Sequence, residues 1–487
     1  MRTELAPACC LASVLATLLA TAGCTVGPDY ARPEVPVPAH YRFGTDADRA
    51  AADAAWWESF GDPALDVLVK EALANNRDID AAAGRVEQFY GSLRSSRSAL
   101  FPQVGAAAGG SRTRASEKLP AVPAANPYSS WQADVFASWE IDLFGKIRRL
   151  NEAARADLLA SEEARQGVIL AVVAGVVDSY IALREADREL EVSKRTLASR
   201  ADSLDLFEKR FKGGVISELE LNQARSEYAN ALKSVPDSEQ RIAQDEDALS
   251  ALIGRNPGPI ERGHAIDELT PPAVPAGLPS DLLERRPDIR QAEQALISAN
   301  AHIGAAKALY YTSISLTGLF GVASTSLSDL WSGPAKTWSY AGQLTMPIFT
   351  AGSIAGQVQS AEGARREAQA NYRKAIQLAF QDTEDALVGV AKSAQSLDAQ
   401  QLEVQSLGVY ARMARLRYEG GYTSYIEVLD AERSLFGAEI LLAQTQAAAL
   451  NEHVALYKAL GGGWVGLADQ AAQQPVVKVG ETPSPFP

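Results

Sequence analysis

Four stretches of this chain alternate apolar and polar residues with a period of two, the spacing of a strand with one covered face. Over 131–142, Trp131, Ala133, Val135, Ala137, Trp139 and Ile141 fall on one side, with Gln132, Asp134, Ser138, Glu140 and Asp142 on the other and Phe136 breaking the pattern. Residues 337–348 set Trp338, Tyr340, Leu344, Met346 and Ile348 against Thr337, Ser339, Gln343 and Thr345. Residues 313–322 set Ile314, Leu316, Phe320 and Val322 against serines and threonines, and a fourth, Ala- and Gly-rich stretch at 102–114 alternates more weakly. The pattern predicts two hairpins, joined by 116–130 and by 324–336. Strands of about 10 residues with one apolar face suit an outer-membrane barrel, although the edge of a soluble sandwich alternates equally well. Four strands cannot close a barrel, and an open sheet edge cannot face hydrocarbon. Spanning a membrane would therefore take a dimer, trimer or tetramer, giving eight, twelve or sixteen strands.

Elsewhere the period changes to seven. No proline occurs from 146 to 211 or from 353 to 418. Ile169, Val176, Leu183, Leu190, Leu197 and Leu204 form a ladder in the first stretch, and Ile376, Thr383, Val390, Leu397, Val404 and Ala411 form one in the second. Charged residues such as Glu185, Arg188, Glu189 and Lys194 lie between the rungs, as in a coiled-coil seam. Helices of this length extend roughly 100 Å at about 1.5 Å per residue, more than a globular core uses. The best internal apolar run, 168–177, is interrupted by Gly175 and falls short of the roughly 20 residues of a spanning helix, so none is expected.

The two ladders match because the chain is written twice. Phe211-Lys212-Gly213-Gly214 returns as Tyr418-Glu419-Gly420-Gly421, Ser217 as Ser424, Glu220 as Glu427 and Gly254 as Gly461, all offset by 207 residues. Further upstream, Ile79 and Phe101 match Ile289 and Tyr311 at an offset of 210. Each long helix thus ends at a glycine pair where the chain can take positive φ and turn back. Ser217 and Ser424 are the expected N-caps of the return helices, and Pro236 predicts a kink in the first of them only. The halves fall at 65–257 and 280–463, around a proline-rich linker at 258–279; an extended segment, 24–64, precedes them and a flexible tail, 464–487, follows.

Apolar residues at 47% and charged residues at 22% of the chain are values of a foldable sequence. A net charge of −14 without a long basic run argues against a nucleic-acid partner; it serves solubility or an acidic lumen that favours cationic solutes. The three cysteines, Cys9, Cys10 and Cys24, all lie near the start, so nothing downstream can form an intrachain disulfide. Arg2, the apolar run 11–20 and Thr21-Ala22-Gly23-Cys24 resemble a lipoprotein signal peptide, 1–23, cut before an acylated Cys24. Thr25 at the next position points to the outer membrane. His40, His264, His302 and His453 are scattered, and no P-loop, HExxH or GxSxG sequence occurs. No catalytic residue, cofactor or metal site is expected.

Trp56-Trp57-Glu58-Ser59-Phe60-Gly61-Asp62-Pro63, Leu283-Glu284-Arg285-Arg286-Pro287-Asp288-Ile289-Arg290 and the two Gly-Gly tips carry a further reading. With them the chain, from about Tyr30 to Gly463, resembles the TolC/OprM-type outer-membrane efflux factors of resistance-nodulation-division (RND) systems, in their lipoprotein branch. The resemblance implies a membrane α+β fold: a homotrimer with a twelve-stranded outer-membrane β-barrel, four strands per protomer, continued by a periplasmic coiled-coil barrel of α-helices. It implies a passive exit duct for drugs or other small molecules, set in outer-membrane lipid and docked to a periplasmic adaptor and an inner-membrane RND pump. In that family the second tip closes the tunnel. The matching residues assign Asp430 and Arg433 to a polar latch and Ile426 to an apolar constriction, all on one helix face. Spacing alone reads Asp430 and Arg433 as an ion pair on a solvated face. Gly213, Gly214, Ser217, Gly420, Gly421 and Ser424 are the expected adaptor contacts. A protein-secretion duct and a coiled-coil strut without a pore are the rival functions.

Overall fold

The computed structural model describes residues 25–43, 55–118, 125–274 and 281–461. The signal peptide, Cys24, the end of the linker and the C-terminal tail lie outside these residues. Among them, α1 (Pro63–Asn75), α2 (Arg77–Ser98), β1 (Gln103–Thr113), β2 (Tyr128–Ile141), α3 (Lys146–Lys212) and α4 (Glu218–Leu252) form the first half. A turn of helix, α5 (Leu282–Arg285), leads into the second: α6 (Pro287–Ala308), β3 (Ser313–Ser324), β4 (Lys336–Thr345), α7 (Ser353–Glu419) and α8 (Tyr425–Ala459). The long helices α3 and α7 each hold 67 residues. The expected kink site does not end α4, which stays helical on both sides of Pro236.

The chain divides into two compact units, and each draws on both halves. One unit takes the described residues up to Glu34, Val86–Ser161 and Gln291–Arg373. It contains a four-stranded antiparallel sheet in the order β1-β2-β3-β4, so that β2 and β3 join the halves. Register puts Val104 opposite Ala137, Val135 opposite Phe320, Ile141 opposite Ile314, Phe320 opposite Trp338 and Ile314 opposite Leu344. Paired residues share a side of the sheet, so one face is apolar across all four strands, and Val104, Val135, Phe320, Trp338, Tyr340 and Leu344 on it are exposed. The other face carries rows such as Gln103, Ser138, Thr317 and Ala341. Strand β2 stops at Ile141 because the Asp142 carboxylate turns to cap α3, accepting from the Ile147 and Arg148 amides at 3.1 and 2.8 Å. Strand β4 ends before Met346-Pro347, since proline has no N–H for the ladder.

An extended N-terminal strap crosses the same unit. The buried Arg149 of α3 donates to the Val26 and Gly27 carbonyls at 3.3 and 3.4 Å and to Asp29 at 2.8 Å, while Asn300 of α6 donates to the Pro28 carbonyl at 2.9 Å. Gly27, at φ +102°, lies so close to α6 that a Cβ there would come within 2.4 Å of Gly304 Cα. Thr25 packs against Gly145 at the start of α3.

The other unit takes the described residues of Val35–Arg85, of Glu162–Arg290 and from Lys374 onward. In its core Trp56, Phe60, Leu65 and Val69 pack with Ile169, Val173, Val176, Val177 and Ile181 of α3. This part of α3 contains a stretch long and apolar enough to cross a membrane, which the interrupted run 168–177 does not suggest. Slightly more than half of that stretch, 56%, is buried inside the protein. Its apolarity serves the core. Two motif residues tie the unit together. Asp62, fully buried, accepts from the Ala64 amide, the Tyr180 hydroxyl and the His264 amide at 2.9, 2.7 and 2.9 Å. Buried Arg286 donates to the Ala459 carbonyl in the last turn of α8 at 3.0 Å and pairs with Asp288 and Asp382 at 2.7 and 2.9 Å.

Candidate functional site

Both helix tips are built by the same backbone device. At the end of α3 the Gly214 amide donates to the Phe211 carbonyl (2.9 Å) and the Val215 amide to the Arg210 carbonyl (3.0 Å). At the end of α7, Gly421 donates to Tyr418 (3.0 Å) and Tyr422 to Arg417 (2.9 Å). These are paired Schellman turns, and they put Gly214 and Gly421 at φ +71° and +74°, where a Cβ is strained. Gly213 and Gly420 occupy the preceding, ordinary position.

The return helices start differently. Ser217 caps α4 through a reciprocal box with Glu220: its hydroxyl accepts from the Glu220 amide at 3.3 Å, and its own amide donates to the Glu220 carboxylate at 2.8 Å. Ser424 holds the N-cap position of α8 but its side chain makes no capping bond. The residue that would complete the box, Glu427, is engaged by Thr423 and by Arg417, the latter at 3.1 Å.

Beneath the tips, Phe207, Leu221, Ala224, Ala414, Tyr425, Val428, Leu429 and Ala431 form one apolar cluster. Phe207 and Tyr425 meet with ring centroids 4.2 Å apart, and Arg210 donates to the Tyr418 hydroxyl at 2.6 Å. Glu432 joins the two long helices beside this cluster. It takes the buried Arg200 of α3 at 2.6 Å and Arg415 of α7.

Ile426, Asp430 and Arg433 lie on the side of α8 turned away from that cluster, and all three are exposed. The structure does not pair Asp430 with Arg433: Arg433 reaches Glu227 of α4 at 3.4 Å, and Asp430 forms no ion pair or hydrogen bond with a described residue. Sequence reasoning missed Arg200, Glu227, Arg415 and Glu432, although a signal existed. At the repeat offset, Glu208 and Arg225 correspond to Arg415 and Glu432 with both signs reversed, and Arg225 pairs with Glu208 at 3.2 Å. Among the described residues no group of three or more His, Asp or Glu is placed to hold a metal ion.

A family model described as outer membrane efflux protein matches residues 68–255 and 278–462, one span for each half. The chain belongs to the outer membrane efflux protein family. As such an efflux protein it is an outer-membrane exit duct, and its four-stranded sheet with paired long helices is the fold expected from the strand and heptad periods. It is 37% identical over 481 residues to the probable efflux pump outer membrane protein TtgC of Pseudomonas putida, covering 97% of this chain and 99% of TtgC. To the cation efflux system protein CusC of Escherichia coli it is 35% identical over 453 residues, covering 92% of this chain and 97% of CusC. The crystal structure of the open state of the Neisseria gonorrhoeae MtrE outer membrane channel matches the efflux protein with a TM-score of 0.81 at 32% identity, over 91% of this chain and 99% of that one.

Proposed function

We propose that three copies of this efflux protein close one twelve-stranded barrel and act as the passive exit duct of a tripartite pump, gated at the second helix tip. One observation carries the reading. The sheet has an apolar, exposed face and two open edges, β1 and β4, and unpaired backbone groups cannot be left in hydrocarbon. Pairing β4 of one copy with β1 of the next satisfies both edges. Around a threefold axis, the exposed Ile426 and Asp430 of three copies would converge on the duct entrance, with Arg433 held back by Glu227 until the tips move. The exposed tips at Gly213, Gly214, Ser217, Gly420, Gly421 and Ser424 would meet a periplasmic adaptor, and an inner-membrane RND pump would supply the energy.

Acylation of Cys24 fits the strap. Thr25 packs beside Gly145 where sheet gives way to helix, so lipid on the preceding residue would enter the membrane next to the barrel.

The test is a bilayer recording on purified protein. Detergent-stable trimers with stepwise conductance support the duct, and Asp430→Ala with Arg433→Ala should raise that conductance. A water-soluble single subunit with no affinity for bilayers would end the proposal; an unchanged conductance in the double variant would remove the gate assignment alone.

A further inference from the structure

The polar face of the sheet has one irregular spot. Register places Phe136 opposite Leu319 and Asp134 opposite Gly321, all on the side away from the apolar face and on the two central strands. Around them that face carries Gln132, Ser138, Thr317, Gln343 and Ser339. Phe136 is 44% exposed and lies along the wall over Gly105, where a Cβ would come within 2.5 Å of its ring. Asp134 rests on Gly321 in the same manner: a Cβ there would lie 2.1 Å from its Oδ1, and that oxygen, buried against the strand, has no hydrogen-bond partner among the described residues, which leaves Oδ2 as the oxygen that can meet a solute. The other carboxylates at the end of this face are spoken for, Glu140 by Lys146 at 2.6 Å and Asp142 by the start of α3. Asp134 forms no ion pair with a described residue.

We infer that Asp134, Phe136 and Leu319 form a transit site in the duct wall for organic cations that carry an apolar body. The inference rests on the duct reading, which turns this face toward the lumen. A carboxylate without a counter-ion attracts the cationic centre. Two residues along a strand, about 7 Å away, an aromatic face and an opposed leucine receive the apolar part. The two glycines keep both side chains flat against the wall, so the passage stays open while the wall binds weakly. Threefold assembly would repeat the site three times at one level of the barrel.

The experiment uses the full-length protein in planar bilayers with three soluble probes: benzyltriethylammonium, tetraethylammonium, which lacks the aromatic body, and benzenesulfonate, which reverses the charge. Benzyltriethylammonium should produce brief interruptions of the open current, at concentrations roughly tenfold below those needed for tetraethylammonium, and benzenesulfonate should produce none. Asp134→Asn should weaken the interruption about tenfold, Asp134→Glu should restore it, and Leu319→Ser should weaken it severalfold. Equal action of the three probes on the unaltered protein, or an Asp134→Asn variant interrupted as before, would overturn the site while leaving the duct intact. Absence of any conductance step would overturn the duct itself, and the site with it.

Discussion

Replacing Asp62 with Asn changes one oxygen into an NH2 group and leaves the shape of the side chain intact, which isolates the hydrogen-bond argument for the interior. Three donors point at this carboxylate: the Ala64 amide on Oδ1, and the Tyr180 hydroxyl and His264 amide on Oδ2. The Tyr180 oxygen in turn accepts from the Gly263 amide at 2.9 Å. An asparagine has two ways to sit. With its NH2 toward Tyr180 the hydroxyl can reverse and accept, but the His264 amide is left facing another donor. With its NH2 toward Ala64 the cap of α1 is lost. Either way a buried N–H goes unmet, at about 1–3 kcal/mol, and the remaining bonds lose a charged acceptor. Asp62→Asn should therefore destabilise the contact by about 2–4 kcal/mol, and Asp62→Ala, which strips all three donors and the cap, by about 4–7 kcal/mol. The assay is hydrogen–deuterium exchange read by mass spectrometry on peptides around Ala64 and His264. A loss of about 2–4 kcal/mol should speed exchange there by roughly thirty- to a thousandfold. Gly263→Ala should give a similar pattern, because its Cβ would lie 1.8 Å from Asp62 Oδ1. Exchange in Asp62→Asn within about threefold of the unaltered protein would refute the reasoning.

Three other outcomes follow from the same geometry. Glu432→Ala leaves the buried Arg200 without a counter-charge and should loosen the tips by about 3–5 kcal/mol, read as faster protease cleavage at 211–217 and 418–424; reversing the exposed Glu208–Arg225 pair should cost less than about 1 kcal/mol. Burial pushes the Glu163 carboxyl up to about 7 even though Arg290 stands 2.6 Å away. A carboxyl raised in the fold contributes stability that is complete below its ordinary value of 4.5 and lost as pH rises through about 7. Glu163→Gln should accordingly gain on the unaltered protein by about 2–3 kcal/mol between pH 5 and pH 8, checked by denaturant midpoints across that range. Gly214→Ala and Gly421→Ala should each cost about 1 kcal/mol from the positive φ, whereas Gly213→Ala, with no atom within 3.4 Å of its Cβ, should leave the thermal midpoint unchanged.

The periods of the sequence carry elements well and pairings poorly. Alternation located all four strands, and the absence of proline with a seven-residue ladder located both long helices, because each element repeats one demand many times. The ends moved where a single side chain decided them, as when Asp142 left the strand to cap α3. Phe136 stood out as a break in the pattern, but the reason, a glycine directly opposite it at position 105 of the neighbouring strand, is visible only once β1 and β2 are aligned. Ser217 and Ser424 look equivalent in sequence and cap differently, because Arg417 and Thr423 draw off the glutamate on one side.

The repeat itself holds the more general reason why the tips were only partly legible. Two copies that began alike keep their backbone turns, since the Schellman geometry depends on a glycine at one position and little else. Their charges are free to drift so long as pairs drift together, and Glu208–Arg225 against Arg415–Glu432 is such a joint reversal. One unmatched change then separates the halves. The counterpart of Arg200 at the repeat offset is Leu407, so only the second pair acquired a third, buried charge, at 2.6 Å from Glu432. A surface pair worth little became a clamp between α3 and α8, and it sits in the half that carries Ile426, Asp430 and Arg433.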